Sequence, residues 1–267
     1  MLDQWLGRAA RTWVDHEWTE VDGRRLHAAA AGAPVLPTVV LVHGQGVSHR
    51  YFRPLAHRLA ARARVVALDL PGFGRSSCEQ VALDLPALSG ALVGWLRATG
   101  REGSVVVGHS TGCQVVVEAA VHEPDVLGPL VLAGATVDPR ARSWAQQAAR
   151  LLSDMVLERP DLLPVLARDF SDCGARRYRR TFDAMLADSI EDKVAMLRGP
   201  TVVLRGRWDP VSPRAWNADL VDRLVDGRLV ELPWGGHNIG WTTPRAFARV
   251  LEDVVAAAVA DAVPGSG

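Results

Sequence analysis

Gly108-His109-Ser110-Thr111-Gly112 is the stretch that decides the fold, because of what flanks it. Before it runs Ser104-Val105-Val106-Val107, a short β-branched run that reads as a buried strand. After it, residues 113–122 carry Val115, Val116, Ala119 and Ala120 at helical spacing. Gly-x-Ser-x-Gly between a strand and a helix is the pattern of a nucleophile elbow. The turn is sharp enough to predict a positive φ at Ser110. A side chain at Gly108 or Gly112 is expected to collide with the adjacent strand or helix.

Working outward, the chain alternates strands and helices. Residues 17–21 and 24–30 flank Asp22-Gly23, the signature of a hairpin. Strands are predicted at 38–42, 64–68, 104–107, 129–133, 201–204 and 228–232, with helices at 51–61, 85–97, 113–122 and 244–260. Nearly all-apolar strands alternating with helices predict an α/β fold: a mostly parallel, doubly wound, eight-stranded sheet with an antiparallel edge. Between Asp138 and about Met196 the pattern is helical only, at 143–157, 162–170 and 176–186. This reads as a helical cap (139–196) inserted after the sixth strand into a core of 1–138 and 197–267. Ligands bind outside the carboxyl ends of such strands, so the cap is expected to roof the site.

A serine hydroxyl needs a base, and the base needs a carboxylate to set its tautomer. Arg205-Gly206-Arg207-Trp208-Asp209-Pro210 follows one strand, and Trp234-Gly235-Gly236-His237 follows the last. Ser110, Asp209 and His237 thus each follow a separate parallel strand, in an order known for this constellation. Asp138, after the 129–133 strand, is the alternative acid. The oxyanion of an acyl-transfer intermediate needs two N–H donors. Thr111, at a helix N-terminus, is one, and Gln45 in the loop after 38–42 is the other, with Gly46 in reserve.

These motifs resemble the α/β-hydrolase fold superfamily, in the capped branch that includes meta-cleavage-product hydrolases and many bacterial esterases. The resemblance rests on His43-Gly44, on Asp69-Leu70-Pro71-Gly72-Phe73-Gly74-Arg75-Ser76, on the Ser110 elbow, on Gly206 to Pro210, and on Gly236-His237 with Pro244. It implies a serine nucleophile and leaves the substrate open. The chain departs from the family pattern at Thr242, where a glutamate is common. It departs again at Asn238, where carbon–carbon hydrolases usually carry tryptophan.

The expected activity is hydrolysis, through an acyl-enzyme, of an ester, thioester or lactone of a small, largely apolar acid. Alternatives are cleavage of a carbon–carbon bond in a vinylogous diketone, a non-hydrolytic cyclase or acyltransferase, and a ligand sensor using the same pocket. Gly46, Phe73, Trp144, Tyr178, Phe182 and Trp241 are the candidate pocket residues, with Trp234 also considered. His43 and His109 are expected to be structural. His16, His27, His49, His57 and His122 show no ligand spacing and are expected at the surface, so no metal site is suggested. Gly44-Gln45-Gly46 begins like a dinucleotide fingerprint, but His49 stands where its third glycine belongs. No cofactor is implied. The 176–180 arginine-rich run reads as a solvated helix face, with a phosphate or carboxylate dock as the other reading.

The 267 residues are 48% hydrophobic and 22% charged, with 30 basic and 30 acidic side chains. Zero net charge argues against nucleic acid or an anionic membrane as partner and leaves a small-molecule substrate. Three widely spaced cysteines, Cys78, Cys113 and Cys173, make neither a disulfide framework nor a zinc pattern. Residues 1–14 lack a leader pattern and no apolar run is long enough to span a bilayer, so a cytoplasmic location is expected. The sequence does not choose between monomer and homodimer.

Overall fold

The computed structural model describes residues 12–77 and 81–262. The expectations placed on Cys78 and on the first 11 residues fall outside that range. Eight strands form one sheet in the order β1-β2-β4-β3-β5-β6-β7-β8. β1 (Asp15–Val21) and β2 (Arg24–Ala31) make the antiparallel edge, and β2 pairs antiparallel with β4 (Arg64–Asp69). β3 (Thr38–Val42), β5 (Val105–His109), β6 (Leu130–Ala133), β7 (Thr201–Gly206) and β8 (Gly227–Leu232) complete a parallel run. In the hairpin, Asp22 and Gly23 take φ of 48° and 74°. Two consecutive positive φ values are what the tightest two-residue turn requires.

Alternate strand residues point to opposite faces, and here each face has its own core. Val40, Val42, Val66, Leu68 and Val106 pack on one side with α2 (Leu85–Ala98), α3 (Thr111–His122) and Trp216. Val39, Leu41, Val65, Ala67 and Val107 pack on the other with α1 (Arg53–Leu59) and the closing C-terminal helix, through Leu55, Phe247 and Leu251. Each fully buried aliphatic side chain contributes about 1.5–3 kcal/mol. Burial on both faces explains why these strands read as unbroken apolar runs.

The long stretch between β6 and β7 holds only helices and turns. Its main helices are α4 (Trp144–Met155), α5 (Leu163–Cys173) and α6 (Ala175–Ala187), followed by the short α7 (Ile190–Lys193). Ser143 caps α4 by accepting from the Gln146 N–H. Gly174, at φ 75°, breaks the chain between α5 and α6. Three helices escape the sequence pattern: α7, α8 (Arg214–Val221) and the single turn α9 (Ile239–Thr242), ahead of α10 (Pro244–Ala262). All three are short, and periodicity needs about three turns to stand out. Among the described residues no helix is long and apolar enough to cross a membrane.

Candidate active site

Ser110 joins β5 to α3 with φ 55° and ψ −122°, a conformation rare for any residue with a side chain. The neighbouring glycines explain how the turn fits. A Cβ on Gly108 would stand 2.7 Å from the Cys113 backbone, and one on Gly112 would stand 2.5 Å from the Val42 carbonyl. Gly44 is equally constrained, because its Cβ would meet the Ser110 Cβ at 2.8 Å. Ser110 N–H donates to the Ala133 carbonyl at 2.9 Å, fixing the turn to β6.

Since β5, β7 and β8 run parallel, the loops after them emerge at one edge of the sheet. That edge brings Ser110, Asp209 and His237 together. His237 Nε2 lies 2.9 Å from Ser110 Oγ, and His237 Nδ1 lies 3.0 Å from Asp209 Oδ2. Asp209 is held in turn, since its Oδ1 accepts from the Val211 and Ser212 N–H groups at 2.8 and 2.9 Å. All three side chains are buried. Asp138, the alternative acid, is also buried but faces elsewhere. It caps the following turn through the Arg140 N–H and pairs with Arg150 at 2.9 Å.

Two carboxyls from the segment between β6 and β7 also lie beside His237, Asp154 from α4 and Glu158 from the turn after it. Asp154 Oδ1 accepts the His237 N–H at 2.7 Å, and Glu158 Oε1 accepts the Asn238 N–H at 3.0 Å. Burial, with the adjacent Asp154 charge, pushes Glu158 up to about 8, and burial raises Asp154 too. Burial alone would lower the pKa of His237. The Asp209 charge and hydrogen bond outweigh it, helped by Asp154 and Glu158, and raise it to about 9. His109 is the reverse case: burial and the His237 charge push it down to about 3, so it stays neutral. Its Nε2 lies 3.1 Å from the His237 carbonyl, and its ring stacks on Tyr51 at 4.6 Å.

Ser110 and His237 open into a cavity of about 600 Å³. Its walls are mostly apolar, with Leu151, Leu152 and Met155 from α4, Leu166 and Phe170 from α5, and Tyr178, Phe182 and Met185 from α6. Gln45 lines it too, and its side chain is tied to α6 through the Tyr178 carbonyl at 2.7 Å. Of the expected pocket residues, Tyr178 and Phe182 are in the wall. Four are not. Trp241 is buried in the sheet-side core, with its indole N–H on Asp161 at 2.9 Å. Phe73 packs on His43 beside a separate, small void that Thr111 also lines. Trp144 lies outside, against Phe182, on a surface depression. Gly46 sits under Phe170 and Tyr178, where a Cβ would clash at 2.5–2.9 Å. Trp234 is exposed.

Residues 39–250 match the model of the Alpha/beta hydrolase family. The chain belongs to that family. It is 30% identical over 266 residues to the protein named "Putative carbamate hydrolase RutD" of Variovorax paradoxus (strain S110), covering 90% of this chain and 99% of that one. A thermophilic esterase from Thermogutta terrifontis superposes with a TM-score of 0.76 at 19% identity, over 92% of this chain and 99% of the other. The meta-cleavage product hydrolase of Pseudomonas fluorescens IP01 superposes with a TM-score of 0.72 at 19% identity, over 91% and 98%. This alpha/beta hydrolase therefore shares its fold with proteins that act on different substrates, and the fold alone does not choose among them.

Sequence reasoning about this alpha/beta hydrolase missed Asp154 and Glu158. Their signal was available: two acids four residues apart, one at the end of an otherwise apolar helical stripe and one just past it. It also misplaced two histidines. His27 and His49 are buried rather than at the surface, and both contact Asp69, at 2.8 and 2.9 Å. Ligand atoms of these three residues lie within 4.8 Å of one another. Burial would raise Asp69, but the His49 charge and the hydrogen bonds of both imidazoles hold it well below the usual carboxylate range. Asp69 also accepts the Arg75 N–H, so it organises the turn that follows β4. His16, His57 and His122 are exposed as expected, and His43 is buried, joining Gly44 to Leu70. In the arginine-rich run, Arg177 is buried against the Gly72 carbonyl while Arg176, Arg179 and Arg180 face solvent.

Proposed function

We propose that this hydrolase is a serine esterase-type enzyme, in which Ser110 is the nucleophile, His237 the base and Asp209 the acid that orients it. His237 Nε2 takes the Ser110 proton as Oγ bonds to the substrate carbonyl carbon. The resulting oxyanion is held by the N–H groups of Thr111 and Gln45. Collapse breaks the bond to the leaving group, which departs with the proton from His237. Water then gives its proton to His237 and attacks the acyl carbon, and return of that proton to Ser110 frees the acid. The helices of 139–196 act as a cap that excludes bulk water from these steps.

The observation that carries this reading is the hydrogen-bonded row Ser110, His237, Asp209 at the floor of an apolar cavity. The substrate class is an ester, thioester or lactone of a small, largely apolar acid. The relatives named as carbamate hydrolases favour one extension: a carbamate ester carries the same reacting carbonyl. Carbon–carbon cleavage is less well supported, because Asn238 follows His237 where tryptophan is usual in that group. The test is a burst assay with p-nitrophenyl acetate, butyrate and octanoate on the wild type and on Ser110→Ala. A burst equal to the enzyme concentration, absent in the variant, supports the acyl-enzyme. No serine-dependent release from any ester sinks it.

A further inference from the structure

The proposed mechanism uses Ser110, Asp209 and His237 but gives no role to the two carboxyls that share their cavity. We infer that Asp154 and Glu158 are positioning residues for His237, clamping the backbone of its loop and placing their carboxyls beside its imidazole. This inference rests on the reading of His237 as the base.

The clamp is built from two adjacent backbone amides. Asp154 takes the N–H of His237 and Glu158 takes that of Asn238. Asp154 Oδ2 also faces the Asn238 side-chain amide at 3.4 Å. The loop leaves room for nothing else, since a Cβ on Gly236 would stand 2.3 Å from Asp154 Oδ1 and 3.3 Å from Glu158 Oε1. His237 is therefore gripped on three sides, by Asp209 at Nδ1, by His109 at its carbonyl and by Asp154 at its N–H.

The titratable groups that face His237 are Asp209 from the β7 loop, Asp154 from α4, Glu158 from the turn after α4, and neutral His109 from β5. Among the described residues no arginine or lysine lines the cavity. Burial and the Asp154 charge keep Glu158 neutral to about 8. It is therefore ionised by the pH at which His237 titrates, near 9, and both carboxyls then favour the imidazolium. Replacing either acid by its amide removes part of that stabilisation, and the double replacement removes all of it.

The experiment follows the His237 imidazole by NMR in histidine-labelled protein, assigned against His237→Gln. The wild type is expected to titrate near 9. Asp154→Asn and Glu158→Gln each lower the midpoint by about 0.5 units, and the double variant lowers it by about one. Alongside, Asp154→Ala lowers kcat for p-nitrophenyl butyrate between about ten- and a hundredfold with KM nearly unchanged, as expected for a misplaced base. Asp154→Asn recovers most of that loss, because the amide oxygen still accepts the His237 N–H. A double variant that titrates like the wild type overturns the inference, and so does an Asp154→Ala enzyme with wild-type kcat. The NMR arm needs no turnover: if no ester is hydrolysed yet the midpoints behave as stated, the proposed function fails and the clamp stands.

Discussion

His237 Nε2 stands 2.9 Å from Ser110 Oγ, and Ser110 reaches that point with a φ of 55°. The contact on which the proposed chemistry rests is thus made by a strained backbone. Such conformations cost about 1–3 kcal/mol for a residue with a side chain. Ser110→Gly is expected to relieve the strain, less about 0.5–1 kcal/mol of added chain entropy. The melting temperature should rise by about 2–4 °C while ester hydrolysis disappears. A thermal melt that falls relative to the wild type contradicts this account of the elbow.

Asp209 and Asp138 make opposite predictions. Asp209→Asn removes the carboxylate at His237 Nδ1, and kcat should fall by about 10⁴, by analogy with serine proteases, with the fold intact. Asp138→Asn disturbs only a turn and the pair with Arg150, so kcat should stay within about threefold of the wild type. Steady-state kinetics of the two variants at one pH decide between the acids.

The activity should depend on pH through His237. A base must be neutral to accept a proton, and His237 titrates near 9, so kcat/KM should rise with pH and level off above about 9. Stability should run the other way. The folded pKa exceeds the unfolded value of about 6.5, so the protonated imidazole stabilises the fold fully below about 6.5. That contribution is lost as pH rises through 9. Glu158 adds a second loss in the same direction between its ordinary value and about 8, because the folded state favours its neutral form. Urea midpoints measured from pH 5 to 9.5 should decline, less steeply in Glu158→Gln and in His237→Gln.

The cavity predicts a chain-length preference. Leu151 and Leu166 face it from α4 and α5, and about 600 Å³ accommodates a medium acyl chain. p-Nitrophenyl octanoate should have a higher kcat/KM than the acetate. Leu166→Trp should reverse that order by filling the cavity, with acetate turnover retained. An unchanged ratio in the variant locates the acyl chain elsewhere.

Much of this was legible in the sequence because the relevant signals are local. β3 is legible to its observed ends because Thr38 and four apolar residues are bounded by a proline and a His-Gly turn. Ser110, Asp209 and His237 are legible because each lies in the loop or turn that follows a strand. The cavity walls were not. Trp241 and Trp144 are large, apolar and close in sequence to promising segments, yet one turns into the core and the other to the outer surface. Which way a side chain turns depends on how helices pack, and a helical pattern gives the stripe without the partner. His27 and His49 were misplaced for a related reason. Their common partner, Asp69, is 42 and 20 residues away in sequence, and becomes a neighbour of His27 when β2 pairs with β4 and of His49 when β3 pairs with β4.

The grip of Asp154 on the backbone of His237 has a consequence for how such proteins diversify. Inserted segments over an α/β core look like exchangeable modules, free to drift with the substrate while the core keeps the chemistry. Here the segment supplies two of the acceptors that hold the core's histidine loop. A chimera that takes its insertion from a relative without these acids inherits a new pocket and a loosened histidine together, so recombination at this boundary must carry both partners across or compensate in the Gly235-Gly236 loop.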